Sequence, residues 1–429
     1  MIIDFSFKNF RSFRDLTTLS MEAAYSNKNT TFEAEKYNLL KTAAIYGPNA
    51  GGKSNLFKAF SFFKFFILES ATRFQVDDII PVEKFKLDKV SKQEPVEFEF
   101  RFLIDNYYYR YGFSINNNVV EEEWLYHRPK GREARIFERI NGEFIRGKDF
   151  NEGKDVEEKT KPNTLFLSSL SQWNSKTAKR ILEFIKNINI LNTSTPIGPL
   201  ITIDLIDKGK ISKQDVLEFL KLSDFGINDF SIENKELDFS KLPKGIQELI
   251  KNSNPDEFKI SDKYFSTKIS PVHFSYDNNE KSEVFLDFEK EESEGTKKFF
   301  SLIGPFLATL KRGGVLLIDE LDTSIHPLLL DKIIDLFNSE YNKNNAQLIF
   351  STHNTRILKN QTLEKDNIWF ATKNKYGVSE LFSLLEIKNV RRSGNFENEY
   401  LSGRYGAIPY INDFLDRVID GISEEKRWF

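Results

Sequence analysis

The stretch AAIYGPNAGGKSNL at 43–56 constrains this chain more than any other. A short apolar run (Ala43, Ala44, Ile45, Tyr46) reads as a buried strand, 47–52 as a glycine-rich loop, and 53–68 as a helix. Gly47, Gly52, Lys53 and Ser54 satisfy G-x-x-x-x-G-K-[ST] in full, with Asn49 and Gly51 inside the loop. That order suits a phosphate cradle. The glycines let successive backbone N–H groups turn inward on an oxyanion, and the helix N-terminus adds its positive dipole. Lys53, at a solvent-facing position, reaches the outer phosphates, and the Ser54 hydroxyl can ligate Mg²⁺. The alternative is an ordinary glycine turn; the strand before it and the helix after it favour the cradle.

At 429 residues the chain is long enough for two or three cores. With 40% hydrophobic and 29% charged residues it is neither disordered nor membrane-like in composition. A net charge of -3 makes no global case for nucleic-acid binding, although a local basic face fits inside that balance. The absence of cysteine excludes disulfides and every thiolate metal site. MIIDFSFKNF lacks the features of a signal peptide, and the most apolar segment, 57–68, is too short for a bilayer and carries Lys58 and Lys64. A soluble cytoplasmic protein with no membrane partner is expected.

Residues 2–13 alternate as a half-buried strand does, and 16–21 reads as the returning strand. Between them lies Asn9-Phe10-Arg11-Ser12-Phe13. A strand ending in NFRSF, followed within a few dozen residues by GPNAGGKS, resembles the ABC-type ATPases of the RecF and SMC group. The resemblance implies ATP and Mg²⁺ as ligands and makes Arg11 a candidate nucleotide contact; a solvated turn arginine is the alternative. Strand signals at 96–103, 107–115 and 119–126, separated by Asp105-Asn106 and Asn116-Asn117-Asn118, read as an antiparallel meander. Its tyrosines (Tyr107, Tyr108, Tyr109, Tyr111) could stack bases, but they more readily furnish a β-surface. From 152 to 269 the pattern turns polar and helical, with amphipathic segments at 176–188 and 212–222 and breaks at Pro196, Pro199, Pro243, Gly245 and Pro255.

KEESEGTKK at 290–298 precedes an amphipathic helix, and its Ser-x-Gly-Thr element offers backbone N–H groups and a hydroxyl to an anion. Ser293 could equally be a plain N-cap. In ABC-type ATPases a signature element stands here and closes on the γ-phosphate held by the other subunit, so the resemblance makes Ser293 and Gly295 nucleotide contacts across a dimer. SEGTK departs from LSGGQ and is similar to the variant in OLD-like and RloA-like ATPases of bacterial defence systems. Val315 to Glu320 is four apolar residues ending in two carboxylates, a buried parallel strand with chemistry at its C-terminal end. Asp319 is the expected Mg²⁺ carboxylate and Glu320 the expected general base. LDTSIHP at 321–327 resembles a D-loop, bringing Asp322 to the nucleotide. QLIFS at 347–351 is another buried strand, and His353, one of four histidines, matches the family's switch histidine. A Q-loop is not assignable; Gln75 and 81–85 are candidates.

The tail, YLSGRYGAIP at 400–409, resembles the closing segment of RloA-like and AbiL-type ATPases, whose partners are separate nuclease-like proteins; its glycines equally mark two tight turns. Asn374-Lys375 resembles NKxD, but Gly377 occupies the Asp position, which excludes a GTPase reading. The expected fold is α/β: an ABC-type P-loop ATPase core with an antiparallel β-meander and an inserted helical lobe. The divisions are 1–70 (cradle), 71–150 (meander), 151–275 (helical insertion) and 276–429 (second half of the ATPase lobe). Two copies should close head to tail around two Mg-ATP molecules. The favoured function is a phage-defence ATPase acting through a nuclease-like effector; a RecF-like, ATP-gated DNA clamp is the alternative. A transporter subunit is disfavoured by the signature and the insertion.

Overall fold

In the computed structural model the described residues are 1–192, 198–223, 225–237, 264–277, 280–359, 363–391 and 394–408. The breaks expected at Pro196, Pro243, Gly245 and Pro255 and the end of the tail at Pro409 lie outside them. The chain divides into two units: Met1–Ser194 with Arg312–Asp322 and Leu330–Phe429, and Thr195–Lys311 with Thr323–Leu329.

The strands in chain order are β1 (Ile2–Lys8), β2 (Thr17–Ser20), β3 (Thr31–Ala34), β4 (Tyr37–Leu40), β5 (Thr42–Tyr46), β6 (Val96–Ile104), β7 (Tyr107–Asn116), β8 (Val119–His127), β9 (Ala134–Ile140), β10 (Glu143–Arg146), β11 (Ile188–Asn192), β12 (Asp229–Leu237), β13 (Tyr264–Asp277), β14 (Glu280–Phe285), β15 (Val315–Asp319), β16 (Gln347–Ser351), β17 (Ile368–Lys373) and β18 (Ser379–Ser383). In the first unit a seven-stranded antiparallel sheet runs β10-β9-β8-β7-β6-β1-β2, and a six-stranded sheet runs β11-β15-β16-β5-β17-β18. The second sheet is parallel up to β17, with β18 antiparallel at its edge. The meander is therefore continuous with the N-terminal hairpin: β1 pairs with β6, Phe5 opposite Phe100 and Phe7 opposite Phe98. β5, β15 and β16 are buried along their whole length, as parallel strands covered on both faces must be.

The helix Lys53–Arg73 fills the space between the sheets. Leu56, Phe57, Phe60, Phe63, Phe66 and Ile67 share one core with Phe5, Phe98, Phe100 and Phe113 of the antiparallel sheet and with Ile45, Leu317 and Ile349 of the parallel one. Its aromatic rings stack on the antiparallel sheet, Phe60 on Phe5 at 3.9 Å between centroids and Phe63 on Phe113 at 5.5 Å. Gln347 ties the two sheets at their margin. Its side chain accepts from Ile2 N at 2.6 Å and donates to the carbonyls of Ile2 and Leu40.

The expected 151–275 helical insertion divides differently. The helices Phe166–Gln172 and Lys176–Lys186 pack in the first unit, and β11 joins the parallel sheet beside β15. The second unit instead contains an antiparallel sheet in the order β12-β13-β14 along with its helices. Short polar strands such as β14, exposed along its length, carry no periodic apolar signal and so read as loop. Glu123 clamps the 161–167 segment to β8. The fully buried carboxylate accepts from Tyr111 Oη at 2.9 Å, Phe166 N at 2.6 Å and Leu167 N at 2.9 Å, with the Arg139 cation in electrostatic reach. Arg139 itself donates to the Thr164 carbonyl at 2.7 Å. Removing this acceptor strands three donors and a cation in the core, so Glu123→Ala should cost about 3–5 kcal/mol. Denaturant titration checks this; an unchanged midpoint would contradict the clamp.

In the second unit the helix Glu294–Arg312 carries Pro305 in its interior. Proline cannot donate to the carbonyl four residues back, which is Ser301 O. Thr202 Oγ1 inserts at this break: it accepts from Gly304 N at 3.2 Å and donates to Phe300 O at 2.7 Å, with Ser301 O a second, longer acceptor at 3.2 Å. Gly304 is what lets Thr202 come so close, since a Cβ there would lie 2.6 Å from the same hydroxyl.

Candidate functional site

β5 ends at Tyr46, and the chain turns through 47–52 before the helix begins at Lys53. Gly47 has φ 144° and Gly52 φ 123°, conformations that side chains rarely adopt. Space is denied as well. A Cβ on Gly47 or Gly51 would sit 2.0 or 2.4 Å from the Ala371 carbonyl of β17, and one on Gly52 would meet Ser379 Oγ at 2.6 Å. The loop is thus pressed onto β17 and the start of β18, while Asn49 and Ala50 stand exposed at its tip. Lys53 is buried rather than solvent-facing, at 6% exposure. Its Nζ donates to the carbonyls of Gly47 at 2.7 Å and Pro48 at 3.1 Å, so the ammonium lies curled inside the loop. Burial pushes its pKa down, opposed by the charges of Asp319, Glu320 and Asp322. Ser54, half-buried, follows on the first turn.

β15 delivers Asp319 at its last position, 3% exposed. Glu320 then leaves the strand with φ 58°, turning its side chain away from the β alternation. Ser351, the last residue of β16, fixes both: its hydroxyl donates to Asp319 Oδ1 at 2.6 Å and accepts from Glu320 N at 2.7 Å. Asp322 Oδ2 accepts from the backbone N–H of His353 at 3.0 Å, and its other oxygen, Oδ1, is buried without a hydrogen-bond partner among the described residues. His353 is exposed. Desolvation first, and then the Lys53 cation, hold its pKa below the ordinary histidine value, against the pull of Asp322, Glu320 and Asp319. Lys53, Asp319, Glu320, Asp322 and His353 therefore form one electrostatic cluster, drawn from the ends of three adjacent parallel strands in the order β15-β16-β5.

Arg11 lies in the Phe10–Phe13 turn with φ 52°, and its guanidinium is paired with Glu83. Ser12, one residue on, is what reaches the cradle. It accepts from Asn55 Nδ2 at 2.7 Å and shares a 2.8 Å hydrogen bond with Ser379 Oγ, which borders Gly52. Of the Q-loop candidates, the 81–85 stretch packs on this turn through Glu83 and through Phe85 N, which donates to Asn9 Oδ1, whereas Gln75 N bonds Asp78. In the second unit Ser293 is exposed and its Oγ accepts from Thr296 N at 3.1 Å, the N-cap geometry. Gly295 lies close to the Ser324 carbonyl, 3.1 Å from where a Cβ would be. Ser12 and Ser351 carried no signal of their own in the sequence, since a serine in a turn or at a strand end is commonplace.

The donors fit a nucleotide with a hydrated divalent cation. Any Cβ at Gly47, Gly51 or Gly52 would push the loop off β17 and β18, Lys53 brings a cation to that loop, and Asp319 and Ser54 supply the hard oxygens a divalent cation takes along with phosphate and water. No group of three or more His, Asp or Glu residues able to hold a metal alone occurs among the described residues, nor does any helix long and apolar enough to cross a membrane. The glycine loop, its buried lysine and the carboxylates at the end of β15 define a P-loop ATPase module. The chain belongs to the family described as "AAA domain, putative AbiEii toxin, Type IV TA system", which matches residues 43–359.

No curated protein matches the chain. Among solved structures it is similar to an SMC head domain from Thermotoga maritima at 14% identity and TM-score 0.40, covering 89% of this chain and 98% of that one. An SMC head bound to the C-terminal winged-helix domain of ScpA is similar at 15% identity and TM-score 0.38, covering 89% and 97%. A head with an extended coiled coil, bound to the C-terminal domain of ScpA derived from Pyrococcus furiosus, is similar at 15% and 0.36, covering 89% and 96%.

Proposed function

We propose that the chain binds Mg-ATP at the 47–54 cradle, hydrolyses it as a head-to-tail dimer, and through that cycle controls a separate effector in bacterial defence. The carrying observation is the single cluster of Lys53, Asp319, Glu320, Asp322 and His353 beside glycines that admit no side chain. When ATP arrives, Lys53 Nζ leaves the carbonyls of Gly47 and Pro48 for the β- and γ-phosphate oxygens. The loop N–H groups and the helix N-terminus hold the same anion. Ser54 and Asp319 would hold magnesium, which would supply positive charge to the developing transition state. Glu320 accepts a proton from the attacking water as the new O–P bond forms and the β,γ-bridging P–O bond breaks, releasing ADP and phosphate. His353, kept neutral, donates to the γ-phosphate or orients the water. Ser293 and Gly295 of the second copy close the site, Asp322 lies at the junction, and Arg11 exchanges Glu83 for nucleotide.

The family's description, with its toxin–antitoxin vocabulary, supports the defence role, as do the SEGTK signature and a tail similar to RloA-like and AbiL-type ATPases. The effector is a nuclease-like subunit. A phage-plating assay with the neighbouring gene co-expressed tests this. Wild type should restrict plaques while Lys53→Ala and Glu320→Gln do not, and the neighbour should co-purify. Equal plating by all three with no co-purifying partner would overturn the defence reading, and ATP-dependent retention of DNA would replace it with a RecF-like clamp.

A further inference from the structure

The tail helix Phe396–Leu401 plays no part in the chemistry above, yet it touches both halves of the nucleotide site. Glu397 Oε1 accepts from Thr355 Oγ1 at 2.9 Å, two residues beyond the switch histidine. Three ring contacts then run back toward the cradle: the Tyr400 ring packs on Tyr46 at 5.7 Å and on Phe370 at 5.7 Å, and Tyr405 packs on Phe370 at 5.3 Å. Tyr46 Oη closes the ring by donating to the Asn354 carbonyl at 3.2 Å. The helix is held in this place from its far side. Tyr400 Oη donates to the Ala407 carbonyl at 3.2 Å, Tyr405 Oη to Glu399 at 2.8 Å, and Arg404 pairs with Glu399 at 2.9 Å and donates to the Asn389 carbonyl. Gly403 at φ 80° and Gly406 at φ 67° make the two tight turns this return requires.

We infer that the tail helix is a positioning element for hydrolysis, in which Glu397 holds the Thr355 hydroxyl and so sets the loop that presents His353 to the γ-phosphate. Besides this contact the loop is held by His353 N on Asp322, by Tyr46 Oη on the Asn354 carbonyl, and by Arg356 on Asp331 at 3.2 Å. Those fix its base and its far end, and Thr355 lies between them. Loss of the Glu397 contact loosens the histidine without removing a group that meets nucleotide, and misplacement of that order costs rate far more than binding.

The inference rests on the ATPase reading, and steady-state ATP hydrolysis by the full chain separates the two. Glu397→Ala and Thr355→Val should each lower kcat about 10-fold with the KM for ATP changed less than about 2-fold, and the double variant should be no slower than the slower single. Glu397→Gln and Thr355→Ser, which keep an acceptor and a donor, should hydrolyse ATP at close to the wild-type rate. A merely structural contact would give variants with lowered melting temperature and unchanged kcat, and that result, or losses that multiply in the double variant, would overturn the inference. Should one alanine or valine variant not fold, the other carries the test. A wild-type protein that hydrolyses no ATP would remove the ATPase reading, and this one with it.

Discussion

Lys53→Ala is expected to lower ATP affinity by about 10²-fold or more and to remove turnover, which titration with a fluorescent ATP analogue and phosphate release would read. The magnitude follows from the loss of charge-assisted hydrogen bonds to phosphate, each contributing about 1.5–3 kcal/mol, where about 1.4 kcal/mol is a tenfold change. The buried position of Lys53 sharpens the expectation. Its ammonium is already held by the loop carbonyls of Gly47 and Pro48, so the substitution also takes out what braces the loop. Lys53→Met keeps most of the volume without the charge and should lose binding equally, with a melting temperature close to wild type. Wild-type affinity in both variants would place the nucleotide elsewhere.

Glu320→Gln is expected to retain ATP binding while hydrolysis falls by about 10² to 10⁴-fold, the usual contribution of a general base. The exchange is isosteric, and Glu320's backbone N–H keeps its bond to Ser351 Oγ, so the turn at φ 58° is undisturbed. Unable to hydrolyse its ligand, the variant should accumulate as a closed dimer with Mg-ATP, whereas Ser293→Arg should stay monomeric, because a long cation replaces the small hydroxyl at the facing surface. Light scattering reads the difference directly. Identical masses for wild type, Glu320→Gln and Ser293→Arg in ATP would argue against a nucleotide sandwich.

The cradle was legible in the sequence because its signal is local: a strand, glycines and a helix within 43–56. β15 with Asp319 and Glu320, and β16 with His353 beyond it, were legible for the same reason, as apolar runs that end in polar chemistry. What joins them was not. Ser351 bridges Asp319 and Glu320 from a neighbouring strand, and Ser12, in a turn, meets Asn55 on the helix Lys53–Arg73 and Ser379 on β18 at the other end of the sequence; a single serine has no pattern to announce such contacts. Sheet membership was hidden likewise. The meander was visible as consecutive hairpins, but the pairing of β1 with β6 spans the whole cradle segment, and β11 enters the parallel sheet after a helical stretch. Both are long-range choices fixed by burial of Phe5, Phe98 and Ile188. Arg11 shows the limit of resemblance: the motif locates the turn, while Glu83 decides where its guanidinium rests.

The central claim is that Asp319, Glu320 and His353 act as one unit on ATP bound by Lys53. Rapid-quench measurement of phosphate release at saturating ATP and magnesium tests it most directly, comparing Asp319→Asn, Glu320→Gln and His353→Ala singly and combined. Groups that work together fail together, so the combined variant should be about as slow as the slowest single one, each single variant being at least about 10-fold slower than wild type. Single variants that release phosphate at the wild-type rate, or losses that multiply as those of independent sites do, would contradict the account.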